Sequence, residues 1–255
     1  PFRKYFLIDG NFQVRIDSIM NTEPDIGLNE KTIYSDVGLI VLGKIIESVS
    51  QKPLDIFVDS AIFEPLGMKS SFYNPPNERN KRVIPTEIDP KGNLIHGYVH
   101  DENAHSLGGV AGHAGLFSTA KDLAIFSQMM LNKGLYGWKR IFKQETVDLF
   151  TKRANLVSQS SRCLGWDSPS GASSGGVYLS DASYGHGGYT GTTLWIDPDN
   201  EIIVILLTNA VHPNRKNKDP KYFDWRHRIH SAVYESLSIN VKNPSLSVRG
   251  RWINN

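Results

Sequence analysis

A histidine flanked by glycines is the first feature whose residue types suggest chemistry. Residues 185–189 read Gly-His-Gly-Gly-Tyr and directly precede a segment rich in β-branched residues. Glycines at a strand edge let a ligand approach the backbone closely, and backbone N–H groups there can stabilise an oxyanion. The structural alternative is a glycine-rich bulge that carries a surface histidine. The pattern alone leaves both interpretations open.

Four further histidines lie near one another in the chain, at His96, His100, His105 and His113. Their spacings match no compact zinc motif, and Gly97 disfavours a helix that would place the first two on one face. The fourth lies in a glycine-dense segment, residues 108–115, where a structural turn is the default. We therefore expect no metal site and no cofactor.

The chain contains one Ser-x-x-Lys sequence, at Ser118 and Lys121. In penicillin-recognising enzymes this spacing places a nucleophilic serine one helical turn from an activating lysine. Here Thr119 and Asp122 have the spacing of a helix capping box, which instead predicts the start of a helix. We expect Ser118 to lie at that helix start and Lys121 to face solvent.

The elements that position these residues are predicted to be helices first and antiparallel strands later. Apolar spacing predicts helices at 37–49, 54–63, 119–132, 144–151 and 222–237. A four-residue Asp-Pro-Asp-Asn turn joins β-rich segments at 192–196 and 202–207, which predicts a hairpin. Residues 74–93 and 168–174 are predicted to be irregular. This order favours an α+β fold over alternating βαβ units.

Composition excludes several classes of protein. With 255 residues, 40% of them apolar and 21% charged, the chain has the composition of a globular protein. A net charge of +2 provides no electrostatic basis for binding nucleic acid. No apolar run approaches the roughly 20 residues that a membrane-spanning helix needs. Cys163 is the only cysteine, so intrachain disulfides and cysteine-based zinc sites are excluded.

Four blocks of sequence, in order, resemble the serine β-lactamase and penicillin-binding-protein superfamily, closest to its class C β-lactamase, D,D-peptidase and esterase branch. The blocks are residues 34–47, 62–68, 115–123 and 185–192. Residues 97–101 and 108–120 are also similar to β-lactamase-like domains of larger Bacteroidetes proteins, some of them glycosidases. The resemblance implies a β-lactamase/transpeptidase-like fold, with an antiparallel sheet flanked by helices and a helical subdomain.

The resemblance also implies roles for individual residues. Tyr34 would be the general base or proton shuttle, His186 would orient Tyr34 and the substrate, and the backbone amide of Tyr189 would form half of an oxyanion hole. Asp36 stands where the family usually has Asn, which replaces an amide donor with an acceptor. The substrate-binding residues implied are Asp36, Gly187, Gly188, His113 and Phe117. We expect Tyr34 and His186 to face one another across one cleft.

The family's Ser-x-x-Lys nucleophile lies many tens of residues before the tyrosine, whereas 33 residues precede Tyr34 and none begins that motif. We therefore expect the chain to be the C-terminal part of a serine hydrolase and to be inactive alone. The intact protein would hydrolyse a β-lactam, a peptidoglycan-type peptide or an ester through an acyl-serine intermediate. The alternative is a degenerate domain that binds a ligand, or packs against a larger enzyme, without catalysis.

Residues 1–255 are expected to form a single partial domain, mostly helical to about residue 160, with strands and a last helix to about 237 and a tail after that. Its expected partners are the substrate and a missing N-terminal segment, whose absence would expose apolar surface and favour self-association. No nucleic acid and no membrane span is expected in this segment. The resemblance implies a periplasmic or other extracytoplasmic location.

Overall fold

The computed structural model of the chain describes residues 3–217 and 221–249, without the side chains of residues 80, 217 and 221. The chain divides into two compact units, the first ending at Asp122 and the second beginning at Leu123. The expected helix-to-strand transition near residue 160 therefore does not coincide with the division into units. That the two units form one domain stays a prediction.

The first unit is mainly helical. Its helices are α1 (Phe12–Met20), α2 (Asp36–Ser50), α3 (Leu54–Val58), α4 (Glu64–Leu66), α5 (Asn77–Asn80) and α6 (Glu102–Ser106). A π-helical turn at Asp59–Phe63 joins α3 to α4. Two short strands, β1 (Phe72–Tyr73) and β2 (Leu116–Phe117), pair antiparallel. The helix α7 (Ala120–Leu131) begins at the end of this unit.

Helix α2 is the central helix of the first hydrophobic core. Its buried residue Ile40 packs with Ile16 and Ile19 of α1 and with Leu107 and Ala111. Apolar residues on its other face are exposed, including Leu42, Ile45 and Val49. The helix ends where Gln51 adopts a left-handed conformation, with its N–H bonded to the carbonyl of Glu47.

The glycine-dense loop at 108–115 lies directly against α2. A Cβ atom on Gly112 would lie 2.0 Å from the carbonyl oxygen of Leu39, a residue of α2. On the helix side, a Cβ on Gly43 would lie 3.2 Å from the backbone nitrogen of Gly112. Only glycine permits two backbones to approach so closely. This contact fixes the position of the next residue, His113, relative to the start of α2.

The second unit contains the main sheet and the last helix. After α7 its elements are β3 (Leu135–Tyr136), β4 (Lys139–Arg140), α8 (Gln144–Thr151), β5 (Tyr184–Gly187), β6 (Thr192–Asp197), β7 (Ile202–Leu207) and α9 (Lys221–Ser236). Strands β5, β6 and β7 form an antiparallel sheet in that order. Trp195 and Val204 of the sheet pack with Tyr234 of α9 and with Val177 and Leu179 in a buried apolar cluster.

Asp197, fully buried at the end of β6, is a hydrogen-bond hub. Its carboxylate accepts hydrogen bonds from Ser180 Oγ at 2.6 Å, Asn200 Nδ2 at 2.8 Å and the Tyr234 hydroxyl at 2.8 Å. Burial alone would raise the pKa of Asp197, but hydrogen bonds from Ser180, Asn200 and Tyr234 outweigh it and lower the pKa. The carboxylate thus connects the hairpin turn to α9 and to the segment before β5.

The predicted elements occur close to where their patterns place them. The structure confirms the predicted β6–β7 hairpin and four predicted helices, which are α2, α7, α8 and α9. Helix α8 has the predicted boundaries. The helix predicted at 54–63 is interrupted by the π-helical turn after Val58. In the part of the chain that the structure describes, no helix has both the length and the apolar character needed to cross a bilayer.

Replacing Asp197 with Asn should destabilise the protein at neutral pH by about 2–3 kcal/mol, because several hydrogen bonds to a buried charge are weakened. The pKa of Asp197 is lower in the folded protein than the value of about 3.9 for an aspartate in the unfolded chain. The ionised carboxylate therefore stabilises the fold at pH values above about 3.9, and this stabilisation is lost as the pH falls through the folded-state pKa. Urea unfolding at pH 7 and pH 3 measures both effects. Asp199→Asn, at an exposed position in the same turn, is the control. Equal unfolding free energies for the two variants would contradict this account.

Gly112→Ala should destabilise the first unit by about 1–3 kcal/mol, because the new methyl group overlaps the carbonyl of Leu39. The matched control is Gly38→Ala on α2, where a Cβ meets nothing within 4 Å. Alanine is favoured over glycine within a helix by about 1 kcal/mol, so Gly38→Ala should be neutral or stabilising. Thermal melts compare the two variants, and a Gly112→Ala protein as stable as Gly38→Ala would show that the close approach is unimportant.

Candidate functional site

The first group of candidate residues lies at the start of α2. Tyr34 precedes the helix in an extended segment, and its side chain is 61% exposed. Ser35 is the N-cap residue and Asp36 is the first residue of the helix. A negative charge at this end of a helix is favoured by the helix dipole. The local sequence thus presents a tyrosine next to a carboxylate.

Three side chains from separate segments meet beside this helix start. Asp36, Asp101 and His113 each contribute an oxygen or nitrogen atom that lies within 4.8 Å of the other two. Nε2 of His113 lies 2.8 Å from Oδ1 of Asp101, and the His113 side chain is only 4% exposed. Oδ1 of Asp101 also accepts the N–H of Ala104 as the N-cap of α6. Among the residues that the structure describes, Nδ1 of His113 is buried and has no hydrogen-bond partner.

The two carboxyl groups of this cluster have pKa values shifted in opposite directions. Burial raises the pKa of Asp36, the charge of Asp101 adds to the increase, and His113 opposes it. Burial would also raise the pKa of Asp101, but hydrogen bonds from His113 and the Ala104 N–H outweigh it and lower the pKa. Asp101 therefore holds its negative charge more firmly than Asp36. A neutral Asp36 would have an O–H donor, as the family's asparagine has an N–H donor.

The second group of candidates lies on strand β5. His186 pairs with Leu194 of β6, and its Nε2 lies 3.3 Å from Nη1 of Arg162. Arg162 in turn forms an ion pair of 3.0 Å with Asp167. Burial lowers the pKa of His186; Asp167 opposes this shift and Arg162 adds to it. A neutral imidazole is favoured, with Nε2 accepting from the guanidinium and the proton on Nδ1.

Gly187, the next residue, lies above a buried arginine. A Cβ on Gly187 would lie 2.9 Å from Nη1 of Arg226, which reaches the strand from α9. The guanidinium also lies over the rings of Tyr222 and Phe223, at 5.4 and 5.3 Å from their centroids. Arg226 is 9% exposed, and its Nε is buried with no hydrogen-bond partner in the part of the chain that the structure describes. The glycine thus leaves room for a cation with unused donor capacity at the strand.

The turn after β5 places Tyr189 at its tip. The N–H of Gly188 donates to the Thr192 carbonyl at 2.8 Å, and that of Gly191 donates to the Gly188 carbonyl at 3.2 Å. The Tyr189 side chain is 59% exposed. These bonds make the turn tight, and the role of the Tyr189 amide stays a prediction.

The remaining predictions concern Phe117, the Ser-x-x-Lys sequence at Ser118, and the histidines at positions 96, 100 and 105. Phe117 lies in β2, half-buried and paired with Phe72. Ser118 lies just before α7, its hydroxyl 2.7 Å from that of Ser71, and Lys121 is exposed, as predicted. The other histidines have separate contacts: His96 Nε2 with the Val83 carbonyl, His100 with Glu87, and His105 with the ring of Tyr98.

Sequence reasoning missed the partners of the candidate residues. Four residues were not selected, because each contacts its partner only after the chain has folded. They are Asp101, Arg162, Asp167 and Arg226. The Asp101 signal was present only as part of the similar block at 97–101. Tyr34 lies in the first unit and His186 in the second, so their meeting across one cleft stays a prediction.

Comparison with known proteins identifies the family of this chain and several relatives. The sequence profile of the β-lactamase family matches residues 4–228. A curated protein from Salmonella paratyphi B, provisionally named D-alanyl-D-alanine carboxypeptidase, is 39% identical over an alignment of 215 positions. The alignment covers 77% of this chain and 49% of that protein. The chain thus spans about half the length of the curated relatives it matches.

Solved structures with less than 25% sequence identity support the fold. Unliganded simvastatin synthase from Aspergillus terreus matches with a TM-score of 0.65 and 17% identity, covering 91% of this chain and 63% of that one. The octameric penicillin-binding protein homologue from Pyrococcus abyssi matches with a TM-score of 0.59 and 19% identity, covering 94% and 49%. The predicted β-lactamase/transpeptidase-like α+β fold is confirmed. With a family profile matching most of its length, this chain belongs to the β-lactamase family, within the superfamily of serine β-lactamases and penicillin-binding proteins.

Proposed function

We propose that the full-length protein is a serine hydrolase that cleaves peptides with a free C-terminal carboxylate, of the D-alanyl-D-alanine type found in peptidoglycan. The observation that carries this choice is Arg226, a buried guanidinium beside the Gly187 backbone. Curated relatives named D-alanyl-D-alanine carboxypeptidase support it. Among the three substrate classes open from sequence, this arginine favours the two that carry a carboxylate, peptides and β-lactams, over a neutral ester, and the names of the curated relatives favour the peptide.

Arg226 suits a carboxylate for reasons of geometry and burial. A guanidinium offers N–H donors in a planar fork that matches two carboxylate oxygens. Its Nε is buried without a partner among the described residues, so an incoming anion would satisfy a donor that they leave unpaired. The rings of Tyr222 and Phe223 lie close to the guanidinium and stabilise its charge through cation–π contacts. A peptide lying along β5 would place its terminal carboxylate near this group.

In the proposed reaction a serine Oγ attacks the carbonyl carbon of the penultimate D-alanine. Tyr34 takes the hydroxyl proton and delivers it to the amine of the departing D-alanine as the C–N bond breaks. The product is an acyl-serine ester, which a water molecule hydrolyses to release the shortened peptide. The Tyr189 N–H stabilises the oxyanion, and His186 orients Tyr34 and the substrate.

We place the nucleophile in a segment outside residues 1–255, in a Ser-x-x-Lys sequence. The curated relatives are about twice as long as the region they share with this chain, which leaves room for such a segment. The exposed apolar residues Leu42, Ile45 and Val49 of α2 are a surface that it would cover. Because peptidoglycan lies outside the cytoplasmic membrane, we propose an extracytoplasmic location.

Tyr34→Phe in the full-length protein should lower kcat/KM for a D-alanyl-D-alanine peptide by about 10²–10⁴-fold, the usual contribution of general acid–base catalysis. The variant should keep its fold, because Tyr34 is largely exposed. Tyr98→Phe, in the same unit, is the control and should retain activity. Release of D-alanine is the assay. A Tyr34→Phe enzyme as active as the control would remove Tyr34 from the mechanism and favour a non-catalytic domain.

Arg226→Ala should raise KM for a peptide with a free C-terminal carboxylate, lowering kcat/KM by about 10–100-fold, as expected for a lost charged hydrogen bond. The loss should be far smaller for the C-terminal amide of the same peptide and for p-nitrophenyl acetate. Arg228→Ala, at an exposed position on the same helix, is the matched control. Equal losses on the acid and the amide would show that Arg226 has a structural role only and would overturn the choice of substrate.

A further inference from the structure

We propose that the hairpin formed by β3 and β4, residues 135–140, docks on the surface of an anionic lipid bilayer. Its turn consists of Gly137 and Trp138, and the Trp138 side chain is 91% exposed. Among the tryptophans that the structure describes, none is more exposed. An indole at the tip of a hairpin leaves a large apolar surface in water, and tryptophan is enriched where a membrane meets water.

Basic residues surround this tip. Residues 123–144 contain no acidic residue and four basic ones, which are Lys133, Lys139, Arg140 and Lys143. Lys133 forms an ion pair of 2.8 Å with Asp148 of α8, and the other three residues are exposed. The next acidic residue along the chain is Glu145, in the first turn of α8. This local excess of positive charge beside an exposed indole is complementary to an anionic lipid surface.

The base of the hairpin is fixed to the second unit. The N–H of Gly134 donates to the carbonyl of Met129, a buried residue of α7, at 2.9 Å. The N–H of Ile141 donates to the Gly134 carbonyl at 2.8 Å. A Cβ on Gly134 would overlap the carbonyl of Phe142, so the backbones at the base lie in close contact. The tip is therefore positioned before it meets a partner, which reduces the conformational entropy lost on docking.

The dimensions of the hairpin fit the headgroup layer of a bilayer. Strand residues rise about 3.4 Å each, so Lys139 and Arg140 lie about 3–7 Å behind Trp138 along β4. The headgroup layer on each side of the hydrocarbon core is about 5–7 Å thick. With the indole at the inner edge of this layer, both cations would lie at the level of the lipid phosphates. Their long side chains allow the charged ends to adjust to that level.

The chemistry of the tip favours a lipid surface over a glycan strand or a protein. Lysine and arginine only donate hydrogen bonds, which suits phosphate oxygens. Sugar hydroxyls donate as well as accept, and residues 137–140 include no carboxylate or amide side chain to accept from them. A stable protein interface involves about 20–30 residues on each side, many more than a two-residue turn presents. A narrow, convex tip instead suits a flat layer into which it can insert.

The test is cosedimentation of the full-length protein with lipid vesicles, containing either about 30% phosphatidylglycerol in phosphatidylcholine or phosphatidylcholine alone. In about 0.1 M NaCl the protein should bind the anionic vesicles at least about tenfold more tightly, and about 1 M NaCl should weaken this binding. Trp138→Ala should weaken it by about tenfold, because less apolar surface is buried. Lys139→Gln combined with Lys143→Gln should weaken it by about 25-fold, since each cation contributes about fivefold.

Two variants at exposed positions elsewhere are the controls. Leu156→Ala removes an apolar side chain that is 65% exposed in the same unit, and Lys121→Gln removes an exposed cation. Both should bind the anionic vesicles as the parent protein does. Thermal melts should show that every variant is folded. As a second measurement, lipids brominated on their acyl chains should quench the fluorescence of the parent protein and quench that of Trp138→Phe much less.

Three outcomes would overturn the proposal. They are equal or absent binding to the two kinds of vesicle, unchanged binding of the tip variants, and Trp138-dependent binding to purified peptidoglycan without binding to vesicles. The last would assign the tip to a glycan. The experiments measure no turnover and change no residue assigned to hydrolysis, so their result is independent of the proposed hydrolase activity.

Discussion

The backbone contact between Gly112 and the carbonyl of Leu39 is the constraint on which the candidate residues of the first unit depend. No other residue type fits at Gly112, because a Cβ there would lie 2.0 Å from that oxygen. The contact brings the 108–115 loop against α2 and so carries His113 to the helix start, where Asp36 follows Tyr34 by two positions. Gly112, which the sequence suggests is only a turn residue, therefore determines which charged groups lie near Tyr34.

A second glycine has the same function in the second unit. Gly187 leaves room for the Arg226 guanidinium beneath β5, while the register of β5 on β6 sets the position of His186. The sheet itself is secured to α9 through Asp197 and Tyr234. In each unit a glycine lets a buried charged or titratable group approach candidate residues of that unit, and the proposed substrate preference rests on the approach of Arg226 to Gly187.

Local pattern was enough to predict much of the fold. Some patterns depend only on neighbours in sequence, such as the apolar periodicity of α2 and α8 and the Asp-Pro-Asp-Asn turn between β6 and β7. The predicted bounds of these elements lie close to the observed ones. The family resemblance selected Tyr34, Asp36 and His186 as candidate residues, and their roles stay predictions. Sequence reasoning missed Asp101 and Arg226, because the contacts that involve them form only when the chain folds. These contacts are the Asp101–His113 hydrogen bond and the close approach of Arg226 to Gly187. Histidine spacing likewise concealed a cluster whose other two members are aspartates.

We propose that residues 1–255 supply the base, the oxyanion-stabilising turn and the carboxylate-binding arginine of an acyl-serine hydrolase, with the nucleophile in another segment of the protein. The most direct measurement is mass-spectrometric mapping of the serine acylated when the full-length protein is incubated with a penicillin. The account predicts one stoichiometric adduct, on a serine outside residues 1–255 that begins a Ser-x-x-Lys sequence. An adduct on Ser118, or on any serine within the chain described here, would contradict it.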